Sequence, residues 1–202
     1  GAVLLRLVAQ MIESRFSPVS VLSVLKHPLV ACGVSIGVCR ASARLLERTV
    51  LRGPAPPPGF AALRSAVTAV LAEQAQDDYA LERAQNGAEA DRPYGPEPLE
   101  SFMDRLEFCL APVLPWDARA TSADPERVAT GPAPDFSYRE PVPDLLAALI
   151  QAVERLVKTE DEDAAKRLWS GEEGNLLAGR LTELMMAADV LPPQRPPVLD
   201  GL

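Results

Sequence analysis

The sequence has little of the residue types on which metal and nucleophilic chemistry depend. It has one histidine and three cysteines in 202 residues, and no two cysteines are spaced as CxxC. This set favours neither a zinc site nor a disulfide framework, and we expect reduced, mostly buried thiols at Cys32, Cys39 and Cys109. Phosphate-loop, dinucleotide-binding, hydrolase-elbow and HExxH motifs are also missing. The sequence therefore predicts no catalytic residue, no metal and no cofactor in this chain.

Aromatic residues and long apolar runs are scarce as well. Only 5% of the residues are aromatic, whereas hydrophobic residues reach 48% and are mostly Ala and Leu. That balance favours helices packed on helices over a β-sandwich or barrel. The apolar N-terminal run is interrupted by Arg6 and Gln10, so it is too short and too polar to span a bilayer. It also lacks the features of a signal peptide, and we expect a cytoplasmic protein without membrane contact.

Apolar residues recur at helical spacing and predict an all-α domain of about six to eight helices. Ser17 followed by Pro18 predicts the N-cap and first position of the second helix, and Pro28 predicts its end. On the third helix the expected apolar side carries Ala41, Leu45, Leu46 and Val50. The predicted helices cover about 2–15, 18–27, 35–51, 60–84, 99–110, 145–157 and 171–188.

The 20 prolines cluster and mark the connections between helices. Residues 53–59 predict a stiff connector, and 86–98 a loop. The composition of residues 111–142 predicts a long, irregular, proline-rich loop, which is also a possible boundary within the domain. We expect Trp116, Phe136 and Tyr138 to pack this loop against the rest of the protein. Residues 158–167 predict a solvated acidic link or a short helical turn. We expect one helical domain over 1–202, and because the chain begins inside a helical pattern, an internal part of a longer protein.

Charge is distributed unevenly along the chain. The first 52 residues carry seven basic and two acidic side chains, a net +5, while the rest carries 13 basic and 26 acidic, a net −13. Arginines at every fourth position form an arginine ridge along the third helix: Arg40, Arg44, Arg48 and Arg52. One interpretation is contact with phosphates along the side of a helix. The other is a solvated face, or a face turned toward the acidic body of the same chain.

His27, the only histidine, lies between Lys26 and Pro28 at the end of an apolar helix. A Ser-His-Asp triad would have to use this residue, but its position is typical of a capping or packing role. The acidic run 160–163 is typical of a solvated surface. Glu172 and Glu173 fall in the first turn of a helix, where acidic side chains favour the helix dipole.

Three segments of the chain resemble AddB, the B subunit of the bacterial AddAB helicase–nuclease, in its alphaproteobacterial form. They are "FSPVSVLSVLKHPLV" (16–30), "ARLLERTVLRGPAPPPG" (43–59) and "LWSGEEGNLLAGRLTELM" (168–185), followed by "LPP" (191–193). Their order and spacing add to the resemblance, which extends from near the start of the chain to near its end. The middle, 75–142, matches weakly.

The resemblance implies an internal 2B-type helical region of a helicase-like portion that has lost its ATPase. It implies a non-catalytic role in double-strand break repair and recombination, with DNA and an AddA-like helicase–nuclease subunit as partners. The nuclease residues and iron–sulfur cysteines of the family match nothing in this sequence. The candidate DNA contacts are then Lys26, Arg40, Arg44, Arg48 and Arg52. The alternative is a free-standing helical interaction or regulatory module, without enzymatic activity, whose acidic body docks on a basic partner.

Overall fold

The structure, a computed structural model, describes residues 1–51, 55–81, 97–117, 139–188 and 190–194. Within these residues there is no strand, and one isolated bridge joins Glu140 to Gln194. The expected all-α class is confirmed. The helices are α1 (Ala2–Glu13), α2 (Pro18–Leu25), α3 (Ile36–Val50), α4 (Phe60–Leu81), α5 (Leu99–Leu110), α6 (Val142–Val157), α7 (Ala164–Leu168) and α8 (Gly171–Ala188).

Helix α6 lies at the centre of the packing. It contacts α1, α5, α7 and α8, while α3 contacts α2, α4 and α5. Half of its 16 residues are buried, on a stripe that recurs every three or four positions. The stripe consists of Val142, Leu145, Leu146, Leu149, Ala152, Val153, Leu156 and Val157. Buried side chains from all the helices named above join one core around it.

Two serine caps fix where the N-terminal helices begin. The Ser17 hydroxyl accepts from the Ser20 N–H at 3.4 Å, with Pro18 as the first residue of α2, as the sequence predicts. The Ser35 hydroxyl accepts from the Val38 N–H at 3.3 Å at the start of α3. These caps satisfy backbone donors that the first helical turn leaves without partners.

The turn between α1 and α2 has two left-handed residues that are not glycine. Arg15 and Phe16 have φ of 53° and 52°, a conformation that costs about 1–3 kcal/mol per residue outside glycine. The turn directs the Phe16 ring into the core, where it meets the Phe60 ring edge-on at 6.4 Å. It also directs the Arg15 side chain toward Asp117, at 3.8 Å. Burial of Phe16 offsets the strain, since a buried phenylalanine contributes about 1.5–3 kcal/mol.

The segment after α2 caps the C-terminal end of α6. The backbone N–H groups of Ala31 and Cys32 donate to the Leu156 carbonyl at 2.8 and 2.9 Å, and Gly33 donates to the Lys158 carbonyl at 2.7 Å. The last carbonyls of a helix lack partners within the helix, so these bonds supply them. Cys32 and Gly33 both have positive φ, of 52° and 81°, which turns their N–H groups toward α6.

Several predicted boundaries were wrong by a few residues. Helix α2 ends at Leu25, not near His27, and α6 begins at Val142, inside the predicted loop. The short helical turn that was one of the two expectations for 158–167 is present as α7. On α3, Leu46 and Val50 are buried as expected, but Ala41 and Leu45 are only half-buried. Their expected place in the core is taken by Cys39, Ser42 and Ala43.

The first described part of the 111–142 segment is a turn followed by a short helical stretch at 114–117, and the second, residues 139–142, leads into α6. Trp116 is buried in the short helical stretch as part of the hydrophobic core. Residues 118–138 of the predicted loop, with Phe136 and Tyr138, lie outside the described residues. So do most of the loop 86–98 and the predicted end of α4 beyond Leu81. Among the described helices, none has the length and apolar character needed to cross a membrane.

Candidate nucleic-acid interface

An open groove of about 400 Å³ lies where the end of α2 meets the outer side of α3. Three of its lining residues are cations, and one is a carboxylate. We call it the basic groove; its lining is Leu25, Lys26, Arg40, Ala43, Arg44 and Glu47. Lys26 is the C-cap residue of α2, so the end of that short helix brings it beside the arginines of α3.

Arg40 and Arg44 lie one helical turn apart on α3, with their Cβ atoms about 5–6 Å apart. Both are exposed, and neither has an ion-pair partner among the residues that the structure describes. Two guanidinium groups at this separation are able to reach neighbouring phosphates of one nucleic-acid strand. Guanidinium is suited to the task because its planar donors match phosphate oxygens.

Lys26 forms an ion pair with a carboxylate of the same groove. Its Nζ lies 2.8 Å from Oε1 of Glu47, one turn beyond Ala43 on α3, and the side chains are 53% and 36% exposed. An exposed pair of this kind contributes only about 0–1 kcal/mol. The groove thus carries two positive charges in excess while one of its cations is held by a carboxylate.

Only two of the four arginines of the arginine ridge line the basic groove in the described residues. Arg40 and Arg44 line the basic groove, whereas Arg48 is exposed in the last turn of α3 and does not line it. Arg52 lies outside the described residues. The sequence did not single out Glu47, although it is one of only two acidic residues before Arg52. Its pairing with Lys26, 21 residues away, depends on how α2 packs against α3.

His27 caps the turn that follows α2. Nδ1 of its half-buried imidazole accepts a hydrogen bond from the Leu29 N–H at 3.3 Å, so that the bond spans Pro28. The expected capping role at this junction is therefore confirmed. Burial of the ring lowers the pKa of His27.

Acidification should destabilise the protein through His27. Because its folded-state pKa is lowered, stability is full above the ordinary value of about 6.5 and falls as the pH drops toward the folded value. Protonation at Nδ1 also removes the acceptor of the Leu29 N–H. His27→Asn places an oxygen near the Nδ1 position and should keep the cap while losing this pH dependence. His27→Ala should lose about 1 kcal/mol at neutral pH.

The measurement is urea unfolding of the wild type and both variants at about pH 5 and about pH 8. The Asn variant is the reference, because it cancels the titration of all other groups. A difference between wild type and His27→Asn that does not change with pH would contradict the assignment.

The three cysteines meet in the core although they come from three segments. All are buried and free, as expected, and the Cys32 thiol lies close to the thiols of Cys39 and Cys109. Cys109 Sγ also donates to the Arg155 carbonyl at 3.4 Å. The neighbouring thiols of Cys109 and Cys39, together with burial, raise the pKa of Cys32, so its thiol stays protonated. The described residues contain no group of side chains that could hold a metal ion.

A buried carboxylate that the sequence did not single out joins three segments at the start of α4. Asp117 Oδ2 accepts the Phe60 N–H at 2.9 Å, which caps the start of α4, and Oδ1 lies 3.8 Å from Arg15 Nε. Burial raises the pKa of Asp117, against the opposing effects of the Phe60 hydrogen bond and Arg15. This arrangement supports the fold, since it lies in the protein interior and not in a groove.

Comparisons with known proteins add no further identification. No protein-family model, no curated protein and no solved structure matches this chain. The function is therefore argued from the basic groove and from the resemblance of the three sequence segments.

Proposed function

We propose that this chain is a non-catalytic helical module that contacts the phosphodiester backbone of DNA through the basic groove. The observation that carries the proposal is the meeting of Lys26, Arg40 and Arg44 around one open groove. Phosphate contacts of this kind supply sequence-independent affinity and fix the orientation of a protein on nucleic acid.

The uneven charge of the chain supports a local, oriented contact. The first 52 residues carry a net +5, while the remaining residues carry a net −13 and would be repelled by a polyanion. DNA would then approach from the side of α2 and α3, with the acidic remainder turned away.

The resemblance to AddB supplies the wider setting of this proposal. In that setting the chain belongs to an AddB-like subunit of an ATP-dependent helicase–nuclease that processes DNA double-strand breaks in the cytoplasm. An AddA-like subunit would carry out ATP hydrolysis, because the present sequence has no phosphate loop. The role of this chain is then to guide DNA or to hold the partner subunit.

Removing the two groove arginines should weaken DNA binding and reduce its salt dependence. Each phosphate contact contributes about 0.9 to the slope of log affinity against log salt for duplex DNA. Arg40→Ala with Arg44→Ala should therefore lower the slope by roughly 1.8 and weaken binding about equally for all sequences. The measurement is fluorescence anisotropy of labelled duplexes of two unrelated sequences over roughly 50–200 mM salt.

Arg48→Ala is the matched control, because Arg48 is an exposed arginine of the same helix outside the groove. It should change the slope less than half as much as the double substitution. Equal affinity and slope for the wild type and the double variant would refute the proposal.

A second candidate function is contact with another protein through α8. Leu176 and Met186 of this helix are 68% and 76% exposed, and Val190 just beyond it is 85% exposed. Large exposed apolar side chains on one element are typical of surfaces that contact a partner. Unchanged DNA affinity in the groove variants would favour this function over the first.

A further inference from the structure

The carboxylate of Glu47 lies among the cations that the proposed function assigns to phosphate contact. It lines the same groove as Arg40 and Arg44, and its Oε1 is 2.8 Å from Lys26 Nζ. A phosphate that enters the groove therefore meets both the attraction of three cations and the repulsion of one fixed negative charge. The fixed negative charge therefore weakens the attraction of the groove for a phosphate, by an amount that falls as salt is added.

We infer that Glu47 competes internally with the nucleic-acid backbone: it holds Lys26 in the free protein and yields it to a phosphate on binding. This inference rests on the proposed function. The exchange is easily reversible, because an exposed lysine–carboxylate pair is held by little free energy. Glu47 thereby sets the affinity and the salt dependence of the basic groove without touching the DNA itself.

The inference has a specific consequence for counterions. When Lys26 moves from Glu47 to a phosphate, the phosphate releases a condensed cation, but Glu47 continues to compete for the ammonium group. The lysine–phosphate contact is then formed only part of the time and contributes less than its full share to the salt slope. Without the carboxylate, the same contact forms fully, and the salt slope gains up to about 0.9.

Glu47→Gln should accordingly tighten binding to duplex DNA and steepen its salt dependence. The slope should grow by up to about 0.9, which at 0.1 M salt corresponds to an affinity gain of up to about 8-fold. Glutamine keeps the size and helix propensity of the side chain, so α3 should form normally. The measurement is the anisotropy titration described above, with far-ultraviolet circular dichroism to verify the helical content.

Glu183→Gln is the matched control. Glu183 pairs with Arg180 on α8 at 3.0 Å, and both side chains are well exposed. This substitution also removes one negative charge and breaks one ion pair, that of Arg180, but on α8 and not in the groove. It should change the slope much less than Glu47→Gln, which separates the local effect from the change in net charge.

A double-mutant cycle tests whether Glu47 acts through Lys26. In a Lys26→Ala background, Glu47→Gln should lose most of its gain in slope, since no lysine remains to be released. An equal gain in both backgrounds would overturn the role assigned to Lys26. Equal slopes for wild type and Glu47→Gln would overturn the inference as a whole.

The two proposals fail in different ways. If Arg40→Ala with Arg44→Ala weakens binding while Glu47→Gln changes nothing, the groove binds DNA and the inference about Glu47 is wrong. If neither changes the affinity or the slope, the groove is not the DNA contact and both are wrong.

Discussion

Asp117→Ala should lower the free energy of unfolding by about 3 kcal/mol. The substitution removes the acceptor of the Phe60 N–H at the buried start of α4, and it removes the negative charge beside Arg15. A buried donor left without a partner costs about 1–3 kcal/mol, and the loss of one member of a buried charge pair adds to this. The measurement is urea or thermal unfolding at neutral pH, with the slope on denaturant showing whether the compactness of either state changed.

Comparison with Asp117→Asn separates the contribution of the hydrogen bond from that of the charge. It keeps an oxygen for the Phe60 N–H but carries no charge, so it should lose much less stability than the alanine variant. Because the folded-state pKa of Asp117 is raised, the wild type gains stability relative to Asp117→Asn as the carboxyl becomes protonated at low pH. That gain disappears as the pH rises from the ordinary range of an aspartate through the higher folded value. Equal losses in the two variants would mean that the capping bond contributes nothing.

Two identical substitutions in α8 should change stability in opposite directions. A Cβ at Gly174 would lie 2.5 Å from the Trp169 carbonyl carbon and 2.7 Å from its oxygen, and Gly174 is buried. Backbone atoms cannot rotate away, so Gly174→Ala should displace the start of α8 and lose about 2–3 kcal/mol. A Cβ at Gly179 meets nothing within 4 Å, and Gly179→Ala should gain about 0.5–1 kcal/mol through helix propensity.

The rigidity of Trp169 makes the first effect large. Its indole Nε1 donates to Glu154 Oε1 of α6 at 2.7 Å, which fastens the turn between α7 and α8 to the central helix. The check is a comparison of the two variants by thermal unfolding under one set of conditions. If Gly174→Ala is as stable as the wild type, α8 does not begin against Trp169 as described.

The sequence predicted those parts of the fold that depend on neighbours along the chain. The N-cap at Ser17 and the apolar stripe of α6 each lie within a few residues, so local rules locate them. His27 was interpretable for the same reason, since its partner is the N–H two residues on.

The features that the sequence did not reveal depend on distant partners. Asp117 meets Phe60 across 57 residues, and the buried Ser42 hydroxyl accepts the Glu97 N–H across 55. The left-handed turn at Arg15 is not visible either, because no glycine or asparagine marks it. Within the candidate site, the arginine ridge was visible from its spacing, but only the packing of α2 on α3 shows that Lys26 joins Arg40 and Arg44.

The hydrogen bonds from Ala31 and Cys32 to the Leu156 carbonyl also determine how late in synthesis this part of the fold can be completed. These two ends of the contact are about 125 residues apart, so the bonds cannot form until α6 has left the ribosome. At roughly 5–20 residues per second, the interval is on the order of 6–25 s. Throughout it, the face of α1 that packs on α6 lacks that partner. The N-terminal quarter is thus the first part of the chain to be made and among the last to be completed.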